Sequence, residues 1–145
     1  MSLLQNPDFE SNRLQPWKAV AEFDTVKLEV GNDTHIARTG AHFLRFRAAN
    51  KQSSVGQDIE VTMPSVTALA YVRAESTDVS GSLTIWDLVP VPNKKIVAPF
   101  KVGQTWTQIV ATLGRETPDR KGPVRIELYL DTTDVFMLID SVTAF

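Results

Sequence analysis

Val124-Arg125-Ile126-Glu127-Leu128-Tyr129-Leu130 alternates aliphatic and polar residues without a break. A period of two puts the two sets on opposite faces of an extended strand, whereas a helix would scatter both around its circumference. The same alternation recurs along the chain. Val26–Val30, Phe43–Arg47 and Val55–Val61 each read as short strands, the last stopping near Pro64. In Val66–Arg73 the residues Val66, Ala68, Ala70 and Val72 share one face. Ser82–Leu88 sets Leu83 and Ile85 against Ser82, Thr84 and Trp86. Trp106–Leu113 is rich in β-branched residues, and Val135–Val142 is a nearly continuous apolar run of the kind a buried central strand carries. Eight prolines and seven glycines interrupt any helical period, with loops marked at Gly31-Asn32-Asp33, Pro90–Asn93 and Pro118–Pro123. About nine or ten short strands in 145 residues predict one all-β domain spanning 1–145, a two-sheet antiparallel β-sandwich.

Composition removes several function classes. Hydrophobic residues make up 43% of the chain and charged residues 22%, which supports a full core and argues against disorder. A net charge of −2 argues against a nucleic-acid binder or a polybasic membrane binder, and no apolar run is long enough for a membrane helix. With no cysteine, thiol catalysis, disulfides and thiolate metal sites are excluded. Met1–Gln5 lacks the features of a signal peptide, so the chain reads either as cytoplasmic as written or as a module of a longer exported protein.

Catalytic motifs are missing: there is no nucleophile elbow, zincin motif, P-loop or dinucleotide fingerprint. His35 and His42 flank a turn at Arg38-Thr39-Gly40 at a spacing that does not suggest a metal pair, and they read as structural. The carboxylate pairs Asp58/Glu60 and Asp131/Asp134 leave glycoside hydrolysis as the one enzymatic alternative. Asn32-Asp33-Thr34 fits a glycosylation sequon but reads as a plain turn.

Several segments, in order, resemble a known group. Leu3-Leu4-Gln5-Asn6-Pro7-Asp8-Phe9-Glu10 followed by Pro16-Trp17 is similar to the opening of carbohydrate-binding modules of families 4, 9, 16 and 22. Thr39–Leu44, Val55-Gly56-Gln57, Ala70-Tyr71-Val72-Arg73-Ala74, Thr105–Ile109 and Leu138-Ile139-Asp140-Ser141-Val142 resemble later landmarks of the same modules, from Leu3 to Val142 overall. Pro7 stands where the family usually has Gly, Tyr71 for Trp, and Ser141 for a second Asp.

This resemblance implies a galactose-binding-domain-like jelly roll that is not an enzyme. It implies binding of a poly- or oligosaccharide on a concave sheet, with a parent glycoside hydrolase or a surface or tail assembly as partner. It also implies a structural calcium held by the Asp8 carbonyl, the Glu10 carboxylate, Thr39, the His42 carbonyl and the Asp140 carboxylate. Calcium takes six to eight such oxygens, and Asp140 sits in an apolar run where a lone charge is costly. Sugar binding needs aromatic faces beside polar side chains. Outward parity nominates Tyr71, Trp86 and Tyr129 as platforms and Arg73, Arg125 and Glu127 as polar readers, provided their three strands adjoin in one sheet. Trp17 and Trp106 match fold landmarks and read as core, and Lys51 and Gln52 stand near where the family often places a platform aromatic. The alternative is a module of the same fold that serves an assembly without binding sugar.

Overall fold

The computed structural model describes residues 2–21, 25–115 and 122–145. Ten strands follow in order: β1 Lys18–Ala21, β2 Val26–Asn32, β3 His42–Ala48, β4 Ser53–Val61, β5 Ser65–Ala74, β6 Val79–Asp87, β7 Lys94–Val102, β8 Thr107–Gly114, β9 Gly122–Leu130 and β10 Met137–Ala144. They form two five-stranded sheets, a front sheet ordered β1-β4-β9-β6-β7 and a back sheet ordered β2-β3-β10-β5-β8. All pairings are antiparallel. The sandwich expected from alternation is thus the observed architecture.

The core lies between the sheets. Val124, Ile126, Leu128 and Leu130 of β9 meet Val66, Ala68, Ala70 and Val72 of β5 in one buried cluster with Leu83, Ile85, Phe46 and Leu44. Alternation assigned every one of these to the inward face, because burying one side of a pleated sheet leaves no other register. β10 shows how the pattern survives an interruption. Its pairing to β5 shifts register between Asp140 and Thr143, and Ser141 there adopts a left-handed backbone with φ of 51°. This bulge inserts one residue, so Met137 and Ile139 before it and Val142 and Ala144 after it all face the core.

Two strands had no clear signal in the sequence. β1 has four residues, and β7 carries Lys94, Lys95 and Pro99 with little alternation. Both are edge strands, where one side of the ladder is unpaired and proline is tolerated. The turn expected at Gly31-Asn32-Asp33 starts later, because β2 continues through Asn32 opposite His42. Of the loop expected over 118–123, residues 118–121 lie outside the described residues, and Gly122 and Pro123 open β9.

Trp17 is buried against Phe9, with ring centroids 5.8 Å apart, and its indole N–H donates to the Asn6 carbonyl at 2.8 Å. Trp106 is a correction. It is half-buried and donates its indole N–H to the Ile36 carbonyl at 2.8 Å, pinning the segment between β2 and β3 to the back sheet. An aromatic at a strand start reads the same in sequence whether the core or a crossing loop covers it.

Gly81 on β6 leaves no room for a side chain. A Cβ there would lie 2.0 Å from the Tyr129 carbonyl oxygen and 2.9 Å from Phe100 Cζ. Gly81→Ala is therefore expected to lower stability by about 1–3 kcal/mol through overpacking, read as a fall in the urea midpoint at unchanged slope.

Candidate functional site: the outer face of the front sheet

Pairing register arranges the outward side chains of the front sheet in rows. Tyr129 of β9 lies opposite Ser54 of β4 and Ser82 of β6. Glu127 lies opposite Gly56 and Thr84, and Arg125 opposite Asp58 and Trp86. Trp86 in turn faces Lys95 of the edge strand β7. Trp86, Arg125, Glu127 and Tyr129 are therefore brought together as expected.

Tyr71 and Arg73 are not part of this group. β5 belongs to the back sheet, so their outward side chains point to the opposite side of the molecule. Parity reports which face of its own strand a residue occupies and carries no information about which strands adjoin. Tyr71 lies beneath the Arg38 guanidinium at 3.5 Å and accepts from Gln108 Nε2 at 3.3 Å. Arg73 donates from Nε to the Ala74 carbonyl at 3.0 Å.

Trp86 and Tyr129 sit two rows apart, yet Trp86 Nε1 donates to the Tyr129 hydroxyl at 3.3 Å. Both rings reach toward the middle row. There Glu127 and Thr84 are each 1% exposed although their strand parity is outward. Beside them Ser54, also fully buried, donates its hydroxyl to Glu127 Oε2 at 2.5 Å and accepts from the Ala21 N–H at 3.2 Å. Burial, reinforced by the hydrogen bond to Glu127, pushes the Tyr129 phenol up to about 12. Arg125 is committed to Asp58 through Nε at 2.6 Å and Nη2 at 3.3 Å, which raises its pKa above the ordinary value.

Two open depressions share Tyr129. One, of about 190 Å³, is lined by Val20, Ala21, Trp86, Arg125, Glu127 and Tyr129 among others. The second, of about 240 Å³, holds Gln52, Ser82, Thr84, Lys95, Pro99 and Asp131. Gln52 Nε2 donates to Asp131 there. The Lys95 ammonium lies 4.7 Å from the Trp86 ring centroid and covers one of its faces. Lys95 and Ser54 are site residues that sequence reasoning passed over, while it read Asp58 only as half of a carboxylate pair and Thr84 only as an outward neighbour of Trp86. Ser54, Thr84 and Asp58 gain their place only from cross-strand register, and Lys95 lies on a strand without alternation. A larger depression of about 330 Å³, between Lys27, Arg47 and Asp134, has no aromatic among the described residues that line it.

The carboxylate pairs do not face each other across the groove. Asp131 lines the front depression, while Asp134 stands by Arg47 at 3.8 Å in the back one. Asp58 and Glu60 follow each other along β4, with Asp58 taken by Arg125.

Of the residues assigned to calcium, Glu10, Thr39, His42 and Asp140 gather about the 38–42 loop. Asp140, fully buried, accepts from the Arg38 and Thr39 N–H groups at 3.0 and 3.3 Å through Oδ2, and from the Ser141 N–H at 2.7 Å through Oδ1. Burial pushes its carboxyl up to about 6 despite these donors, and nearby Glu10 adds to the shift. Burial acts upward on Glu10 too. The Ala41 and His42 N–H groups at 2.8 and 2.7 Å, with the His42 ring, outweigh it and hold Glu10 below the usual carboxylate value. Thr39 Oγ1 lies 3.3 Å from Ser141 Oγ, and the Asp8 carboxylate accepts from the Glu10 N–H at 3.2 Å. Gly40 has a left-handed backbone with φ 63°, which strains any other residue, and a Cβ there would meet Glu10 Oε1 at 2.1 Å and push the carboxylate away. Among the described residues no three acidic or histidine side chains converge as a metal cluster. The two carboxylates of Glu10 and Asp140 with the Thr39 hydroxyl at one loop are nonetheless oxygen donors of the kind calcium takes.

No protein-family model matches the chain, and no curated protein matches it in sequence. Solved structures do match in fold. The structure of TmCBM61 in complex with β-1,4-galactotriose superposes with a TM-score of 0.74 at 17% identity, covering 100% of this chain and 98% of that one. The CBM22-1 xylan-binding domain from Paenibacillus barcinonensis Xyn10C gives 0.74 at 18% identity, covering 99% and 93%. Tailspike protein 4 of bacteriophage CBA120, an enzymatically active domain, gives 0.68 at 12% identity, covering 99% of this chain and 21% of that one. The chain has the jelly-roll β-sandwich fold of these carbohydrate-binding modules.

Proposed function

We propose that this chain is a non-catalytic carbohydrate-binding module whose ligand, a poly- or oligosaccharide, lies on the outer face of the front sheet. The observation that carries this reading is the Trp86–Tyr129 pair, two half-buried aromatics joined by a hydrogen bond between two adjoining depressions. The rings would stack on the apolar faces of pyranoses, and Arg125, Asp58 and Asp131 supply hydrogen-bonding groups at the rim. Lys95 already covers one face of Trp86, so a sugar takes the other face or displaces it. The similar modules named as binding galactotriose and xylan support the class of ligand. The experiment is retardation on immobilised xylan, galactan and β-glucans. Retention by at least one of them supports the reading, and passage through all of them counts against it.

A second reading, a structural module within a surface or tail assembly, is favoured by the fold match to one part of a much longer tailspike chain. It requires that no glycan be retained.

The proposal includes a structural calcium at the 38–42 loop, held by the Glu10 and Asp140 carboxylates with Thr39 and the carbonyls of Asp8 and His42. The ion would offset the burial of Asp140 and the proximity of Glu10, and fix the loop to the end of β10. Millimolar calcium is therefore expected to raise Tm by several degrees over chelator-treated protein, since a ligand that binds only the folded state stabilises it. An unchanged Tm would remove the ion from the proposal.

A further inference from the structure

Glu127 is a charged group on the front sheet whose position and parity disagree. It faces outward from β9 beside Trp86 and Tyr129, yet it is 1% exposed. Buried carboxylates are costly unless hydrogen-bonded, so this one is expected to have a structural task. Its donor is the Ser54 hydroxyl at 2.5 Å, and Tyr129 follows two residues later on the same face of β9, near enough that Glu127 helps to suppress ionisation of the phenol. The cation next to it on the strand, Arg125, is held by Asp58.

We infer that Glu127 is a positioning residue that does not touch the glycan: it accepts a hydrogen bond from the Tyr129 hydroxyl, which leaves the phenol oxygen to accept from Trp86 Nε1 and locks the two rings into one preorganised platform. Ser54 Oγ donates to Glu127 and Trp86 Nε1 to Tyr129 Oη, and the inferred bond from the Tyr129 hydroxyl to Glu127 joins the two, both residues lying on one face of β9. Each phenol has one proton to give. Giving it to a carboxylate fixes the direction of the remaining bond, so Trp86 meets an acceptor rather than a competing donor. Rings held in place before binding lose less freedom when a ligand arrives, which is how an unseen residue raises affinity.

This inference rests on the carbohydrate reading for its purpose, but its physical content can be measured without ligand. The three tryptophan indole N–H signals can be followed by NMR in the full chain, with Trp86→Phe assigning one of them. Trp17 and Trp106 donate to backbone carbonyls and serve as internal fold controls. In Glu127→Gln the Trp86 signal is expected to shift and its hydrogen exchange to accelerate about fivefold, the loss of one neutral hydrogen bond, with the other two signals unmoved. Ser54→Ala, which removes one anchor of the carboxylate, should move the same signal in the same direction by less. An unchanged Trp86 signal in folded Glu127→Gln would overturn the inference. On whichever glycan column retains the wild type, Glu127→Gln should weaken retention, but add little further loss in a Tyr129→Phe background. Equal losses in both backgrounds would mean direct contact and also overturn it. A chain retained by no glycan would sink the carbohydrate reading while leaving the indole result to stand or fall by itself.

Discussion

Asp140→Ala should lower stability by about 3 kcal/mol or more, since it leaves the N–H groups of Arg38, Thr39 and Ser141 without their acceptor beneath the 33–41 segment. For a chain of this length the fall in Tm is on the order of 10 °C. Asp140→Asn separates the two roles given to this side chain. Its amide oxygen still accepts a hydrogen bond, and it carries no buried charge, so in chelator-treated buffer the loss should be clearly smaller than for alanine. In calcium the same variant should lose the stabilisation seen in the wild type, because a neutral amide is a poor substitute for a carboxylate ligand. Thermal melts of the three proteins with and without calcium give the answer. If Asp140→Asn responds to calcium as strongly as the wild type, Asp140 is not a ligand. If Asp140→Ala melts with the wild type, the three N–H groups find water or other partners and the loop does not depend on this residue.

Trp86→Ala should weaken glycan binding about 30-fold or more, the usual consequence of truncating an aromatic that anchors a binding surface. Tyr129→Ala should act similarly, because it removes a ring and also the acceptor of the Trp86 indole. Arg73→Ala should leave binding unchanged, since β5 lies in the back sheet. This contrast tests the location of the site. Parity in the sequence nominates Arg73 and Trp86 equally, whereas strand order places them on opposite sides of the molecule. Loss of binding in Arg73→Ala with Trp86→Ala unaffected would move the ligand to the back sheet.

Most strands are legible because burying one face of a sheet imposes a period of two that few sequences show by accident. Val124–Leu130 appears at its full pattern, with every aliphatic residue in the core. β7 is not legible, since an edge strand with an exposed face is under no such pressure and tolerates Pro99 and two lysines. The site divides in the same way. Trp86, Arg125, Glu127 and Tyr129 were found because they lie on the outward faces of well-patterned strands. Lys95 carries no signal, and Asp58 reads only as half of a carboxylate pair, because their meaning comes from the residues opposite them on other strands.

What this sequence determines by itself is local: which segments are extended, which face of each is apolar, and hence that two sheets must pack together. Tertiary structure alone decided three further things. It set the strand order, which divides the nominated aromatics between two faces. It placed the bulge at Ser141, which keeps Val142 in the core and leaves Asp140 beneath the loop. It buried Glu127 on the outward face of the front sheet, beside rings contributed by its own strand and its neighbour. Alternation is a property of one strand, while adjacency, register and covering belong to pairs of segments distant in sequence, and their energies appear only once the chain has closed on itself.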